Sequence, residues 1–274
     1  MHKFIIGFIG GGNMAHCLIK GLLSQGHAPH TIWVSNPNPR ENLEPLGVNI
    51  TTDNTVVAEK AGILVFAVKP QILPHVAREL APVLQVKHPC IISLAAGVRI
   101  ASLQAWLGSD MLSIARAMPN TPAIIGYGAT GLYANAQVTL EQKKEIKSLF
   151  DAVGITFWLD RESQLDTVTA LSGSGPAYFF LVIEALIQAS VDLGLPEETA
   201  KQLAIQTAKG AAHLAGSTSE SLAQLRAHVT SPGGTTEHAI HALEAGEIRV
   251  LFAHAIRAAQ QRAVALGEPH VICD

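Results

Sequence analysis

The segment Val229-Thr230-Ser231-Pro232-Gly233-Gly234-Thr235-Thr236 reads as a tight loop running into the first turn of a helix, and a loop of that build can hold an anion. Pro232 fixes one backbone angle, Gly233 and Gly234 let the main chain come close to a ligand, and the helix beyond presents unpaired N–H groups at the positive end of its dipole. Ser231, Thr235 and Thr236 add hydroxyl donors. Ser/Thr-Gly runs also cap helices that bind nothing, so a plain N-cap of a helix over Thr236 to Leu243 stands as the alternative. A second segment weighs against it. Phe4 to Ile9 is a near-continuous apolar run that suits a parallel strand buried on both faces, and it stops at Gly10-Gly11-Gly12-Asn13-Met14-Ala15. Gly10 allows the turn, Gly12 lets a pyrophosphate approach the backbone, and Ala15 takes the third small position of G-x-G-x-x-(G/A), where the new helix packs on the sheet. Strand before and helix after are the context that a dinucleotide site requires; a strand-turn-helix without a ligand is the plainer reading.

The elements that must position these segments fall into two halves. After a helix over Asn13 to Ser24, short apolar runs recur at Thr31 to Ser35, Ile63 to Val68, Cys90 to Leu94, Leu112 to Ala115 and Ile155 to Leu159, with helical stretches between several of them. Such alternation predicts an α/β fold of the Rossmann type, a doubly wound parallel sheet with helices on both faces. Thr139 and Gln142 form a capping-box pattern, with Ile146, Leu149, Phe150 and Val153 on one face of the helix that closes this half and Gly154 where it would stop. From Arg161 onward the strand signals vanish. Pro176 opens a helix to about Leu193 that is apolar nearly all round and so predicted to be buried. Another runs from Pro196 to about Leu214, and a last one from Glu247 to Leu266 ends at Gly267 with Pro269 beyond. The predicted division is a dinucleotide-binding domain over 1–160 and an all-α domain over 161–274 that binds substrate and dimerises.

Composition narrows the partners. Only 15% of the 274 residues are charged against 48% apolar, well below the roughly 25% charged that soluble domains usually carry, which points to apolar surface buried between subunits. Net charge is -3 with no run of Lys and Arg, and Lys143, Lys144 and Lys147 alternate with Glu141 and Glu145 on a solvated helix face, so neither nucleic acid nor an anionic membrane is an expected partner. Cys17, Cys90 and Cys273 are isolated and odd in number, which fits reduced thiols in a cytoplasm rather than a disulfide framework. No secretory leader is evident, and the apolar run Ala177 to Ile183 ends at Glu184, short of a membrane span.

In a doubly wound sheet, ligands bind beyond the carboxyl ends of the strands. The turns predicted there are Ser35-Asn36-Pro37, Ala67-Val68-Lys69-Pro70-Gln71 and Ala95-Ala96-Gly97. Each could be only a turn; together they are what a cofactor lying along the sheet edge would touch. An acidic residue after the second strand would select NAD by its ribose hydroxyls, whereas Ser35 and Asn36 stand here with Arg40 a few residues on, which favours NADP with NAD still possible. Lys69 reads equally well as a cofactor contact or as a surface lysine. Leu171-Ser172-Gly173-Ser174-Gly175-Pro176-Ala177-Tyr178 reads as an opening at a helix start or a plain helix-helix turn, and Glu184, if buried, needs a partner.

These motifs, with Arg116-Ala117-Met118-Pro119-Asn120-Thr121-Pro122, follow one another in the order and near the spacing of the pyrroline-5-carboxylate reductase family, which the chain resembles from end to end. The Leu171 to Tyr178 and Thr230 to Thr236 segments carry the resemblance most specifically. It implies hydride transfer from NAD(P)H to the C=N bond of 1-pyrroline-5-carboxylate, giving L-proline in the last step of proline biosynthesis. Carried over by position, Ile9, Gly10, Gly11, Gly12, Asn13, Met14, Ser35, Asn54, Ala67, Val68, Lys69, Pro70, Ala95, Ala96 and Gly97 become cofactor contacts, beside Asn36. Ser231, Thr235 and Thr236 become substrate contacts. The chemistry adds that the Gly233-Gly234 turn lets the main chain close on the substrate carboxylate, with N–H groups from Gly234 to Thr236 and the Ser231 hydroxyl as donors, while the Thr236 hydroxyl takes the catalytic role at the ring nitrogen. The resemblance also implies homodimers built through the helical domain, often joined into rings. The chain departs from the family's pattern after Ser35-Asn36, where Pro37 stands in place of an arginine.

Two rivals share parts of the pattern. A hydroxyacid dehydrogenase of similar build would carry a lysine on the helix after the glycine turn; Tyr178 to Ile183 contains none, so an alcohol has no evident general base. A non-catalytic NADP-binding sensor would need the fingerprint of Gly10 to Ala15 without the anion loop. His238 and His241, at i and i+3 with Glu237 and Glu244 near, lack a third ligand and are read as solvated histidines rather than a metal site.

Overall fold

A computed structural model describes residues 4–37 and 43–267. It divides into two compact units, one formed by the described residues of Met1–Ser174 and Ala258–Asp274, the other by Gly175–Arg257.

The first unit is built on β1 (Ile6–Ile9), α1 (Asn13–Ser24), β2 (Ile32–Ser35), β3 (Asn49–Thr51), α2 (Asn54–Lys60), β4 (Ile63–Phe66), α3 (Leu73–Lys87), β5 (Cys90–Ser93), α4 (Ile100–Leu107), β6 (Ile114–Met118), β7 (Gly128–Ala134), α5 (Leu140–Asp151) and β8 (Gly154–Trp158). The strands form one sheet in the order β3-β2-β1-β4-β5-β6-β7-β8. Strand alternation divides its side chains between two cores. Phe8, Ile32, Val34, Val65 and Ile92 pack with α1 and α5 residues such as Leu18, Leu22, Ile146 and Phe150, while Ile9, Leu64, Phe66 and Ile91 pack with α2, α3 and α4 residues such as Val57, Leu80 and Leu103. The capping box of α5 forms as the spacing predicts, Gln142 N–H donating to Thr139 Oγ1 at 3.2 Å and Thr139 N–H to Gln142 Oε1 at 2.9 Å.

Two strands, β3 and β7, were not read from the sequence. β3 is only three residues long, and β7 runs antiparallel to β6, so the sheet is not wholly parallel. The β7 sequence GATGLYA hides its strand because two glycines stand where β-branched residues would signal one. The glycines serve close approaches: a Cβ on Gly128 would sit 2.7 Å from the Val153 carbonyl oxygen, and one on Gly131 2.9 Å from the Val168 side chain.

The chain continues through α6 (Gln164–Val168), a π-helical turn over Thr169–Gly173 and α7 (Gly175–Asp192). The segment from Leu171 is therefore not a helix-helix turn but a wide turn inside one helical run. Thr169 Oγ1 donates to Leu165 O at 2.8 Å, Ser172 Oγ donates to Val168 O at 3.1 Å, and Ser174 N–H closes the wide turn on Thr169 O at 2.8 Å. Gln164–Asp192 spans 29 residues and is long and apolar enough to cross a membrane by length and composition alone, contrary to the shorter run read from the sequence.

The second unit holds α7, α8 (Glu197–Ser217), α9 (Leu222–His228), α10 (Thr235–Ala245) and the first half of α11 (Ile248–Gly267), which continues into the first unit. Glu247, at φ 56°, makes the left-handed joint before α11. The prediction that α7 is buried fails for the chain by itself: Phe179 is 69% exposed, Leu181 66%, and Gly175 alone of its residues is buried. The low charge count allowed apolar surface that the chain's own helices do not cover. Glu184 is exposed as well, so it needs no buried partner.

Candidate functional site

Parallel pairing in register sets Thr51, Ser35, Ile9, Phe66, Ser93 and Arg116 in one row near the carboxyl ends of β3, β2, β1, β4, β5 and β6. Strand order reverses at β1, because the chain winds outward to β2 and β3 and then returns to β4 on the other side. The next residues extend the ladder: Gly10 N–H donates to Ser35 O at 2.9 Å, Asn36 N–H to Thr51 O at 3.0 Å, Ala67 N–H to Ile9 O at 2.8 Å and Leu94 N–H to Phe66 O at 3.0 Å. The three turns named from the sequence thus leave one edge of the sheet at its switch point, where ligands of this architecture lie. Asn54, at the start of α2, joins them through Ser35, whose buried hydroxyl donates to Asn54 Oδ1 at 2.7 Å.

The glycine turn has two different sides. Gly10 lies at φ 99° and a Cβ there would sit 2.9 Å from the Ala67 carbonyl oxygen, so the turn and the close strand crossing both demand glycine. A Cβ on Gly12 meets nothing within 4 Å. Gly12 is also the N-cap of α1, with no side-chain cap and no acidic residue in the first turn, which leaves the helix end suited to a pyrophosphate. No carboxylate ends β2, and Ser35 and Asn36 stand there instead. Arg40 lies outside the described residues, as does Cys273. Asn13 and Lys69 are exposed at this edge, and Ala67, Val68, Pro70 and Ala96 are half-buried.

A charge cluster behind the Ala95-Ala96-Gly97 turn escaped the sequence reading. Glu162 Oε1 accepts both from the Ile100 N–H that begins α4 and from Arg116 Nη1, each at 2.8 Å, and Arg99 Nη2 donates to Asp166 Oδ2 at 2.5 Å. Arg116 and Asp166 are almost wholly buried. Burial draws the Arg116 guanidinium below its ordinary pKa, and the hydrogen bond and charge of Glu162 oppose that. Asn120, from the same Arg116 to Pro122 motif, accepts from Ala129 N–H at 2.9 Å and donates to Ser172 O at 3.0 Å, joining β7 to the π-helical turn. A polar residue within an otherwise apolar strand was the available signal for Arg116, but nothing in the spacing identified its partners.

In the second unit, the Ser231 to Gly234 loop leads into α10 with Gly234 as N-cap. Gly233 lies at φ 71°. Gly234 N–H, read from the sequence as a ligand donor, is turned to Ser231 O at 3.0 Å, which leaves the N–H groups of Thr235 and Thr236 at the head of the helix. Ser231 and Thr235 are exposed and Thr236 is half-buried. The Tyr178 hydroxyl is buried without a hydrogen-bond partner. His238 Nδ1 lies 3.0 Å from the Gly234 carbonyl oxygen, and no group of His, Cys, Asp and Glu that could hold a metal occurs among the described residues.

Known proteins share both halves. Residues 5–97 match the family model for NADP oxidoreductase, coenzyme F420-dependent, and residues 162–266 that for pyrroline-5-carboxylate reductase dimerisation. Pyrroline-5-carboxylate reductase of Pseudomonas aeruginosa is 46% identical over 266 residues, covering 96% of this chain and 97% of its own. The chain belongs to the pyrroline-5-carboxylate reductase family. Among solved structures, the pyrroline-5-carboxylate reductase of Coxiella burnetii is 45% identical with a TM-score of 0.92, covering 97% of this chain and all of its own. The Plasmodium falciparum pyrroline carboxylate reductase with NADP bound is 30% identical with a TM-score of 0.88, over 98% of this chain and all of its own. Membership of the reductase family sets aside the hydroxyacid dehydrogenase and the non-catalytic sensor.

Proposed function

We infer that this protein reduces 1-pyrroline-5-carboxylate to L-proline with NADPH, the last step of proline biosynthesis. The observation that carries the reading is likeness to pyrroline-5-carboxylate reductases over almost the whole chain, both the sheet unit and the helical region. When bound, the reduced nicotinamide supplies hydride to the electrophilic carbon of the C=N bond. A protonated cyclic imine is already strongly electrophilic, so the protein's own task is mainly to hold and align.

In this reading residues 1–160 bind the dinucleotide. Gly10 to Met14 and the head of α1 take the pyrophosphate, Ser35, Asn36 and Asn54 the adenosine ribose end, and Ala67 to Pro70 with Ala95 to Gly97 the remaining edge. Support comes from the shared row of strand ends, from the open space at Gly12, and from the missing carboxylate after β2, which favours NADP over NAD. Residues 161–274 take the substrate and dimerise. Ser231 Oγ and the N–H groups of Thr235 and Thr236 hold the substrate carboxylate, and the Thr236 hydroxyl hydrogen-bonds the ring nitrogen. The exposed apolar side chains of α7 pack against a second copy rather than a membrane, a reading supported by the dimerisation model that matches 162–266. The cytoplasm, and assembly of dimers into rings, complete the proposal.

Purified protein mixed with L-1-pyrroline-5-carboxylate and either NADPH or NADH tests it. Oxidation of the nicotinamide with proline as product is expected, faster with NADPH. Protein that binds NADPH but oxidises neither cofactor would return the sensor reading.

A further inference from the structure

The loop assigned to the substrate carboxylate is gripped by two consecutive side chains of the helix that follows it. Gly233 N–H donates to Glu237 Oε2 at 2.7 Å, and His238 Nδ1 approaches the Gly234 carbonyl oxygen at 3.0 Å. Glu237 is the third residue of α10, so its carboxylate reaches back as the glutamate of a capping box does, one residue further out than the N-cap. Together with the bond from Gly234 N–H to Ser231 O, these contacts engage both N–H groups of the glycine pair and one of its carbonyls. Glycine has more conformations to lose than any other residue, and a pair of them on the surface would sample many without such anchors. A loop that must be ordered on binding costs affinity; a loop already held does not.

We propose that Glu237 and His238 are positioning residues that preset the Gly233-Gly234 turn, and with it the N–H groups of Thr235 and Thr236, for the substrate carboxylate. Glu237 acts here as a hydrogen-bond acceptor. Its negative charge beside an anion site is a disadvantage that the acceptor role outweighs, so glutamine serves as well as glutamate. His238 acts by donating Nδ1–H to the carbonyl, which requires the tautomer protonated at that nitrogen. The proposal rests on the loop's role in taking the substrate carboxylate.

The test compares Glu237→Ala, Glu237→Gln and His238→Ala with the full-length parent, in steady-state kinetics and in amide exchange of Gly233. Glu237→Ala is expected to raise KM for the imine about tenfold, with kcat and the KM for NADPH within about twofold and the Gly233 amide exchanging faster. Glu237→Gln restores KM to within about twofold of the parent, and His238→Ala raises it about threefold. A KM for Glu237→Ala that falls would mean the carboxylate competes with substrate and would overturn the proposal. So would a glutamine variant as impaired as alanine, or faster Gly233 exchange with an unchanged KM. A parent protein that fails to reduce the imine would instead sink the functional reading, while the exchange measurement still judges the grip on the loop.

Discussion

The sheet unit and the helical unit solve opposite problems with the same polypeptide. The first buries most of its strand residues against its own helices, with Ile155 and Phe157 of β8 left exposed, and its strand ends are locked into one row by backbone pairing, so the positions of the turns beyond them follow from register. The second leaves Phe179, Phe180, Leu181 and Leu186 of α7 largely exposed, and no residue of α9 or α10 is buried. A fold that completes its own core can place a cofactor edge by itself. One that leaves its core open makes assembly part of its stability, and its loop is held by local hydrogen bonds instead of by a sheet.

The largest effect expected from this contrast follows a charge placed on α7. Leu181→Glu would bury a carboxylate in the proposed dimer contact at a cost of several kcal/mol per ion, and about 4 kcal/mol already weakens a dimer roughly a thousandfold. Light scattering should then show monomers at concentrations where the parent is assembled, with NADPH still bound by the sheet unit. An unchanged mass would remove α7 from the interface.

Within the sheet unit, Gly10→Ala and Gly12→Ala separate fold from ligand. Alanine at position 10 meets both a left-handed backbone and the Ala67 carbonyl, so NADPH affinity should fall by roughly 1 to 3 kcal/mol together with a lower Tm. Alanine at position 12 has free space in the protein, so calorimetry should show weaker NADPH binding with an unchanged Tm. Equal losses of Tm in both would contradict the two-sided glycine turn.

In the helical unit, Thr236→Ala removes one proposed transition-state hydrogen bond and should lower kcat/KM about tenfold to a hundredfold, or roughly 1 to 3 kcal/mol. NADPH affinity should stay put.

The smallest effect concerns pH. Burial pushes the Cys90 thiol up from 9.0 to about 12, so the native state keeps a proton that the unfolded chain loses. Stability tied to this group is whole below pH 9 and is lost between pH 9 and 12. The stability difference between the parent and Cys90→Ala should therefore narrow by roughly 1 kcal/mol by pH 10 in denaturant titrations. A constant difference would mean that the thiol is less buried than its strand position implies.

The same contrast governs what could be read from residues alone. The glycine fingerprint, six of the eight strands and the capping box at Thr139 were legible because each is a local pattern with a local cause. β7 was not, since GATGLYA owes its strand to neighbours on both sides rather than to its own composition. The π-helical turn at Thr169–Gly173 was hidden for a related reason: Gly173 and the nearby Gly175 suggested a break, while back-bonding by Thr169 and Ser172 carries the helix through. The Ser231 to Thr236 loop was recognisable by its residue types, but the grip of Glu237 on Gly233 was not. That bond depends on where the first turn of α10 begins, and the structure starts the helix one residue earlier than the sequence reading did.

The most direct trial of the whole account is to follow the hydride itself. NADPH carrying deuterium at the transferable C4 position would be turned over with 1-pyrroline-5-carboxylate and the product examined by NMR and mass spectrometry. The account predicts L-proline with one deuterium, located at C5. Proline without deuterium, or NADPH consumed without proline, would contradict it.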